Sequence, residues 1–183
     1  MNDTDYLRLI AAMVADIHKQ TVTDGDVNSK LVSAALWNQE DWAIRWEHNY
    51  LFPDAENPPH VKYVVSVLGM WTTIEDSYGL LSEAEQSKVA AEAKFNSGKK
   101  PEFHGFDGNE EAEYSSVARM LIEHLKRFET FKERYMNTHS PTTERYTRML
   151  EVYKPINSAR SNNPHNGLSA EELIEILNAP YKR

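Results

Sequence analysis

The residues best suited to chemistry in this 183-residue chain are its seven histidines and the stretch Phe103–Asn109, FHGFDGN. His104, Asp107 and Asn109 lie close together there and could line a pocket at the start of a following helix, where free backbone N–H groups favour an anion. The same residues also read as a plain turn, in which Gly105 and Gly108 supply backbone freedom while Asp107 or Asn109 caps the helix. The stretch lacks a lysine and matches neither phosphate-loop spacing. His18, His48, His60, His104, His124, His139 and His165 are scattered singly, with no HExxH. A metal site would have to be assembled through space, for example from His104, Asp107 and His139, and no resident metal or cofactor is expected. The absence of cysteine removes disulfides, thiolate ligands and a cysteine nucleophile. The carboxylate pairs Glu110/Glu113 and Asp5/Asp16 show no apolar setting that would raise a pKa, and Ser115-Ser116 has neither a partner base nor a G-x-S-x-G elbow. Enzymatic activity therefore finds no support in the sequence.

Trp37, Trp42, Trp46 and Trp71 could stack a ligand or a single-stranded nucleic acid, but a base-stacking site needs an electropositive groove. Glu40, Asp41 and Glu47 would repel phosphates instead. Core packing is the ordinary role of aromatics at helical spacing, with a subunit interface as the other one; Trp42, Trp46 and Trp71 are the interface candidates. Net charge is −8 and uneven: residues 1–60 carry ten acids against four bases, and residues 119–160 nine bases against five acids. Arg119 is the ligand-binding candidate on the basic side, which also holds Lys126, Arg127, Arg134, Arg145 and Arg148. Solvated charge and helix-dipole complementarity explain that side as well as nucleic-acid contact does, and the overall negative charge argues against nucleic acid and anionic membrane.

The elements that must position these residues read as helices throughout. Tyr6, Ile10, Met13 and Ile17 recur at helical intervals over residues 3–19. A second helix is expected over 27–37 and a third from Asn38 through the Trp-rich NQEDWAIRWEHNYLF. The segment HVKYVVSVLGMWTTIEDSYGLL is β-branched near its start, yet its length favours helix over strand. Ser82 and Glu85 form a capping box for 83–95, and Ser169 and Glu172 another for the last helix, with Leu168 and Leu173 as a staple. NSGKKP, 96–101, is the candidate hinge, and Pro155 to Gly167 reads as a polar loop. Between them, Tyr114, Val117, Leu121, Leu125, Phe128, Phe131 and Tyr135 predict one long central helix over about 109–135. Ser140-Pro141 then opens a second helix, making a hairpin. The expectation is an all-α chain of about seven helices in a single domain, 1–183. No apolar run reaches the roughly 20 residues of a bilayer span, and the N-terminus lacks signal-peptide character, so the expected setting is cytoplasmic.

The stretches FHGFDGNEEAEYSSVARML, MNTHSPTTERYTRMLEVY and LSAEELIEILNA resemble the YfbU family of bacterial proteins. DTDYLRLIAAM and VVSVLGMWTTIEDSYGLL fit the pattern more loosely, and residues 20–56 depart from it most. The resemblance implies a helical, cytoplasmic protein and transfers no reaction, cofactor or catalytic residue. Together these readings point to a non-enzymatic module that self-associates or binds a protein partner. A small-molecule or metal-dependent enzyme with a pocket near 103–109 is the alternative, and nucleic-acid association through the basic side of 119–160 comes third.

Overall fold

The computed structural model describes residues 3–54, 56–95, 98–160 and 167–182. They form eight α-helices and no strand, with one isolated parallel bridge between Phe106 and Asn137. The chain gathers into two compact units, Met1–Lys62 with Ser116–Lys132, and Tyr63–Ser115 with Glu133–Arg183. Among the described residues no helix is long and apolar enough to cross a membrane.

The first unit begins with α1, Asp3–Thr21, lying against α2, Ser29–Asn38. The Asn28 side chain caps α2 by accepting from Leu31 N at 3.1 Å, and Gln39 ends it in the left-handed conformation. The short helix expected over NQEDWAIRWEHNYLF forms only as a six-residue α3, Trp42–Glu47, followed by a 3-10 turn at Asn49–Leu51. Trp42 is buried edge-on to Trp46 and its indole N–H donates to the Glu40 carboxylate, which is buried with it. The pairing satisfies both polar groups away from water.

The 109–135 helix is the main correction to the sequence reading. Helix α6 spans only Ala112–Arg119 and passes into a π turn at Met120–His124. Leu125 N then donates to Met120 O at 3.0 Å and Arg127 N to Leu121 O at 2.9 Å, wider closures than an α-helix makes. Lys126 and Phe128 take positive φ, and a 3-10 turn follows at Glu129–Phe131. The cause lies in the apolar density. Met120, Leu121 and Ile122 are consecutive and all buried, so a single helical stripe cannot hold them, and the widened turn lets Leu125 and Phe131 reach the interior as well. Tyr135, expected on that stripe, is exposed.

In the second unit, α4, Pro59–Leu80, is a helix despite its β-branched start. Val64, Val67, Leu68, Met70, Trp71 and Ile74 are completely buried along it. Trp71 is the hub of an aromatic cluster, with ring centroids 5.3 Å from Phe95, 6.1 Å from Phe103 and 5.9 Å from Tyr146. Helix α5, Glu83–Glu92, and helix α8, Ala170–Asn178, start on the two expected capping boxes, and Leu168 and Leu173 are both buried. Helix α7, Thr143–Arg160, starts three residues after Ser140 and runs through Pro155, so the expected loop from 155 begins later than its proline suggested. Residues 161–166 of that loop, and residues 96 and 97 of the expected hinge, lie outside the described residues.

Candidate functional site

The FHGFDGN turn is built around Gly105. Its φ of +91° is readily available only to glycine, and a Cβ there would come within 2.0 Å of Met136 O. The Gly105 carbonyl accepts from the Tyr146 hydroxyl at 3.0 Å and from the Thr142 hydroxyl at 3.3 Å. Phe106 O accepts from Thr138 N at 3.3 Å, and Asn137 Oδ1 receives both Gly108 N at 3.1 Å and His139 N at 3.0 Å. The turn and residues 136–142 are thus laced together by backbone polarity. Glu75 on α4 holds the entry to the turn: its buried carboxylate accepts from Phe103 N at 2.9 Å and pairs with both terminal nitrogens of Arg134 at 2.9 Å.

Glu111 completes the knot. Its Oε1 accepts from Thr142 N at 2.8 Å, Thr143 N at 2.6 Å and the Thr143 hydroxyl, while Oε2 accepts from Asp107 N at 3.0 Å and the Thr142 hydroxyl at 3.0 Å. This carboxylate is the cap of α7, supplied from far away in sequence where a local Ser140–Pro141 start was expected. Burial pushes the Glu111 pKa up, but the hydrogen bonds from Thr143, Asp107 and Thr142 outweigh it and hold the group below the usual carboxylate range. A carboxylate so stabilised is a poor general base. Its chemistry is structural.

Each candidate residue now has a place. Asp107 is buried and accepts from Asn109 N at 2.7 Å and Glu110 N at 3.1 Å, so it serves the turn. Asn109 is exposed. Among the described residues no three His, Asp or Glu side chains gather to hold a metal ion, and His104, Asp107 and His139 are not assembled into one. His104 is exposed and stacks on Phe95, with centroids 6.4 Å apart. His139 is exposed in a left-handed conformation, its Nε2 2.8 Å from the Tyr135 hydroxyl. Arg119 is exposed on α6 and belongs to the first unit, whereas the other ligand candidates belong to the second. Of the interface candidates, Trp71 and Trp42 are buried in the cores of their units and Trp46 is half-buried; Trp37 is 81% exposed.

His104 does border an open cleft of about 360 Å³, whose other walls include Tyr135, Ser140, Arg145, Tyr146 and Tyr181. Arg145 makes no ion pair among the described residues, unlike Arg134 and Arg148. The sequence points to His104 and to Arg145 on the basic side, but not to the hydroxyls of Tyr135, Ser140, Tyr146 and Tyr181, which come from residues over thirty positions beyond His104. The cleft offers hydroxyl groups for hydrogen bonding and the positive charge of Arg145.

One feature of the first unit is more pronounced. Helix α1 faces its own chain with small residues: Ala15 is buried, and Arg8, Ala11, Ala12 and His18 are half-buried. Arg8 is paired there with Asp41. Tyr6, Leu7, Leu9, Ile10, Met13, Val14 and Ile17 all point away, between 52% and 66% exposed. The apolar stripe read from the sequence over residues 3–19 is this outward face.

The YfbU domain family matches residues 38–179, which takes in α3 to α8, the FHGFDGN turn and the Glu111 knot, and leaves α1 and nearly all of α2 outside. With most of its length in that match and an all-α fold, the chain belongs to the YfbU family.

Proposed function

We propose that this YfbU-family chain is a non-enzymatic helical interaction module that docks a protein surface on α1. The observation that supports it is the outward apolar face of that helix, since monomeric proteins rarely expose contiguous apolar patches beyond a few hundred Å². Catalysis is the weaker reading because the carboxylates of Asp107 and Glu111, in and just after the FHGFDGN turn, are committed to holding backbone. The test is parallel affinity capture with the wild type and with Ile10→Glu/Met13→Glu, after circular dichroism shows both to be folded. A protein, whether a second copy or another chain, retained by the wild type and lost from the variant supports the reading; equal retention by both sinks it.

The cleft beside His104 and Arg145 favours a second reading, a binding site for a small anionic molecule. Thermal-shift titration with inorganic phosphate and with nucleotides tests it. Stabilisation that His104→Ala and Arg145→Ala abolish supports that site, and no shift with any of these anions removes it.

A further inference from the structure

Resting on the reading of α1 as a docking face, we propose that its occupant is α1 of a second copy of this chain, paired antiparallel. Tyr6, Ile10, Met13 and Ile17 are spaced four, three and four apart, the alternation of a two-helix seam, and Leu7, Leu9 and Val14 flank it. The seven exposed side chains offer roughly 750 Å² of apolar surface per chain, close to the ~800 Å² each partner gives a standard interface. The face is also self-complementary, as a two-fold interface requires. In antiparallel register Tyr6 meets Ile17 of the other copy and Ile10 meets Met13, so a β-branched side chain opposes a long one in every layer.

Charge selects the orientation. Asp3 continues the seam at the N-terminal end and Gln20 at the C-terminal end. Parallel pairing would set Asp3 against Asp3, whereas antiparallel pairing sets it against Gln20 and opposes the two helix dipoles. The acids Asp3 and Asp5 of the first turn then lie towards the end that carries His18 and Lys19. Charge also disfavours an anionic bilayer as the occupant. Helices that lie on membranes are rich in Lys and Arg, while α1 carries Asp3, Asp5 and Asp16 against Arg8 and Lys19, and Arg8 is already paired.

The chain has no cysteine, so single-cysteine variants report the register directly. Sedimentation equilibrium of the wild type should give twice the 21.1 kDa chain mass, and Ile10→Glu/Met13→Glu, at positions already exposed, should stay folded and lose the dimer. Mixed Tyr6→Cys and Ile17→Cys chains carrying different tags should form the mixed disulfide on oxidation, with little of either homodisulfide. A dimer untouched by the double variant, or cross-linked Tyr6→Cys to Tyr6→Cys, overturns the proposal. A monomeric wild type overturns it too. If that monomer still retains another protein through α1 in the capture experiment, the docking reading survives; if it retains none, both fall.

Discussion

Thr143 is joined to Glu111 twice, its backbone N–H donating to Oε1 at 2.6 Å and its hydroxyl donating to the same oxygen. The first helical residue of α7 is therefore held by a side chain 32 positions earlier in the chain. A helix start leaves N–H groups without partners, and one ionised carboxylate answers two of them here while also fixing Asp107 N.

Replacing this carboxylate tests its role. Glu111→Gln keeps the shape but removes the charge, and an amide nitrogen cannot accept from Asp107 N or from a threonine hydroxyl. It should cost about 2–3 kcal/mol in urea unfolding. The folded-state pKa of Glu111 lies below its unfolded value, so its contribution is present above the unfolded pKa and is lost as pH falls through the folded one. Below about pH 4.5 the stability gap between wild type and Glu111→Gln should therefore narrow.

Gly105 admits no side chain. Gly105→Ala forces a Cβ onto Met136 O in a backbone conformation alanine rarely adopts, and should cost about 2 kcal/mol or more, read as a fall in the urea midpoint. Gly69→Ala, on α4 with open space around its Cα, should by contrast be neutral or stabilising by about 0.5–1 kcal/mol.

Two tyrosines set the alkaline limit. Burial pushes the Tyr63 phenol up to about 12, where it donates to Thr143 O at 2.9 Å, and pushes the Tyr146 phenol higher still. A phenol that holds its proton more tightly when folded contributes stability below its unfolded pKa of about 10 and loses it as pH rises from there through the folded value. Stability measured from pH 9 to 12 should fall, and the fall should be shallower in Tyr63→Phe.

The pairing of Glu75 with Arg134 gives the fourth test. Arg134→Ala leaves a buried carboxylate with Phe103 N as its main partner and should cost about 2 kcal/mol, less than a fully dry pair would because the guanidinium is partly exposed. Arg134→Lys restores the charge but not the two-point geometry, and should recover only part of the loss.

Elements whose signals are local were legible in the sequence. Ser82/Glu85 and Ser169/Glu172 each lie within one turn of the residue they cap, and both boxes form. Helix α4 was legible from its length, which overrode the β-branched run at 61–67. What failed was reading Glu111 and the 120–135 segment locally. By position Glu111 is a first-turn acid of the expected 109–135 helix, where the dipole favours negative charge, and nothing within four residues shows that it reaches Thr142 and Thr143. The regular spacing from Tyr114 to Tyr135 likewise hid Met120 and Ile122, which lie off the expected stripe and are buried beside Leu121. The Tyr6–Ile17 stripe is legible from its spacing, but periodicity shows that a helix has an apolar face and not what covers it. The Ala11, Ala12 and Ala15 face was the available clue: small residues permit close helix approach, and α2 lies on that side.

The Glu111 knot also couples the local opening of two distant segments. The first turn of α7 gains its acceptor only when residues 105–111 are in place, and the Gly105 carbonyl gains its donors only when Thr142 and Tyr146 are. In native-state hydrogen exchange the amides of Asp107, Thr142 and Thr143 should open together, at one common free energy, although more than thirty residues of chain lie between them.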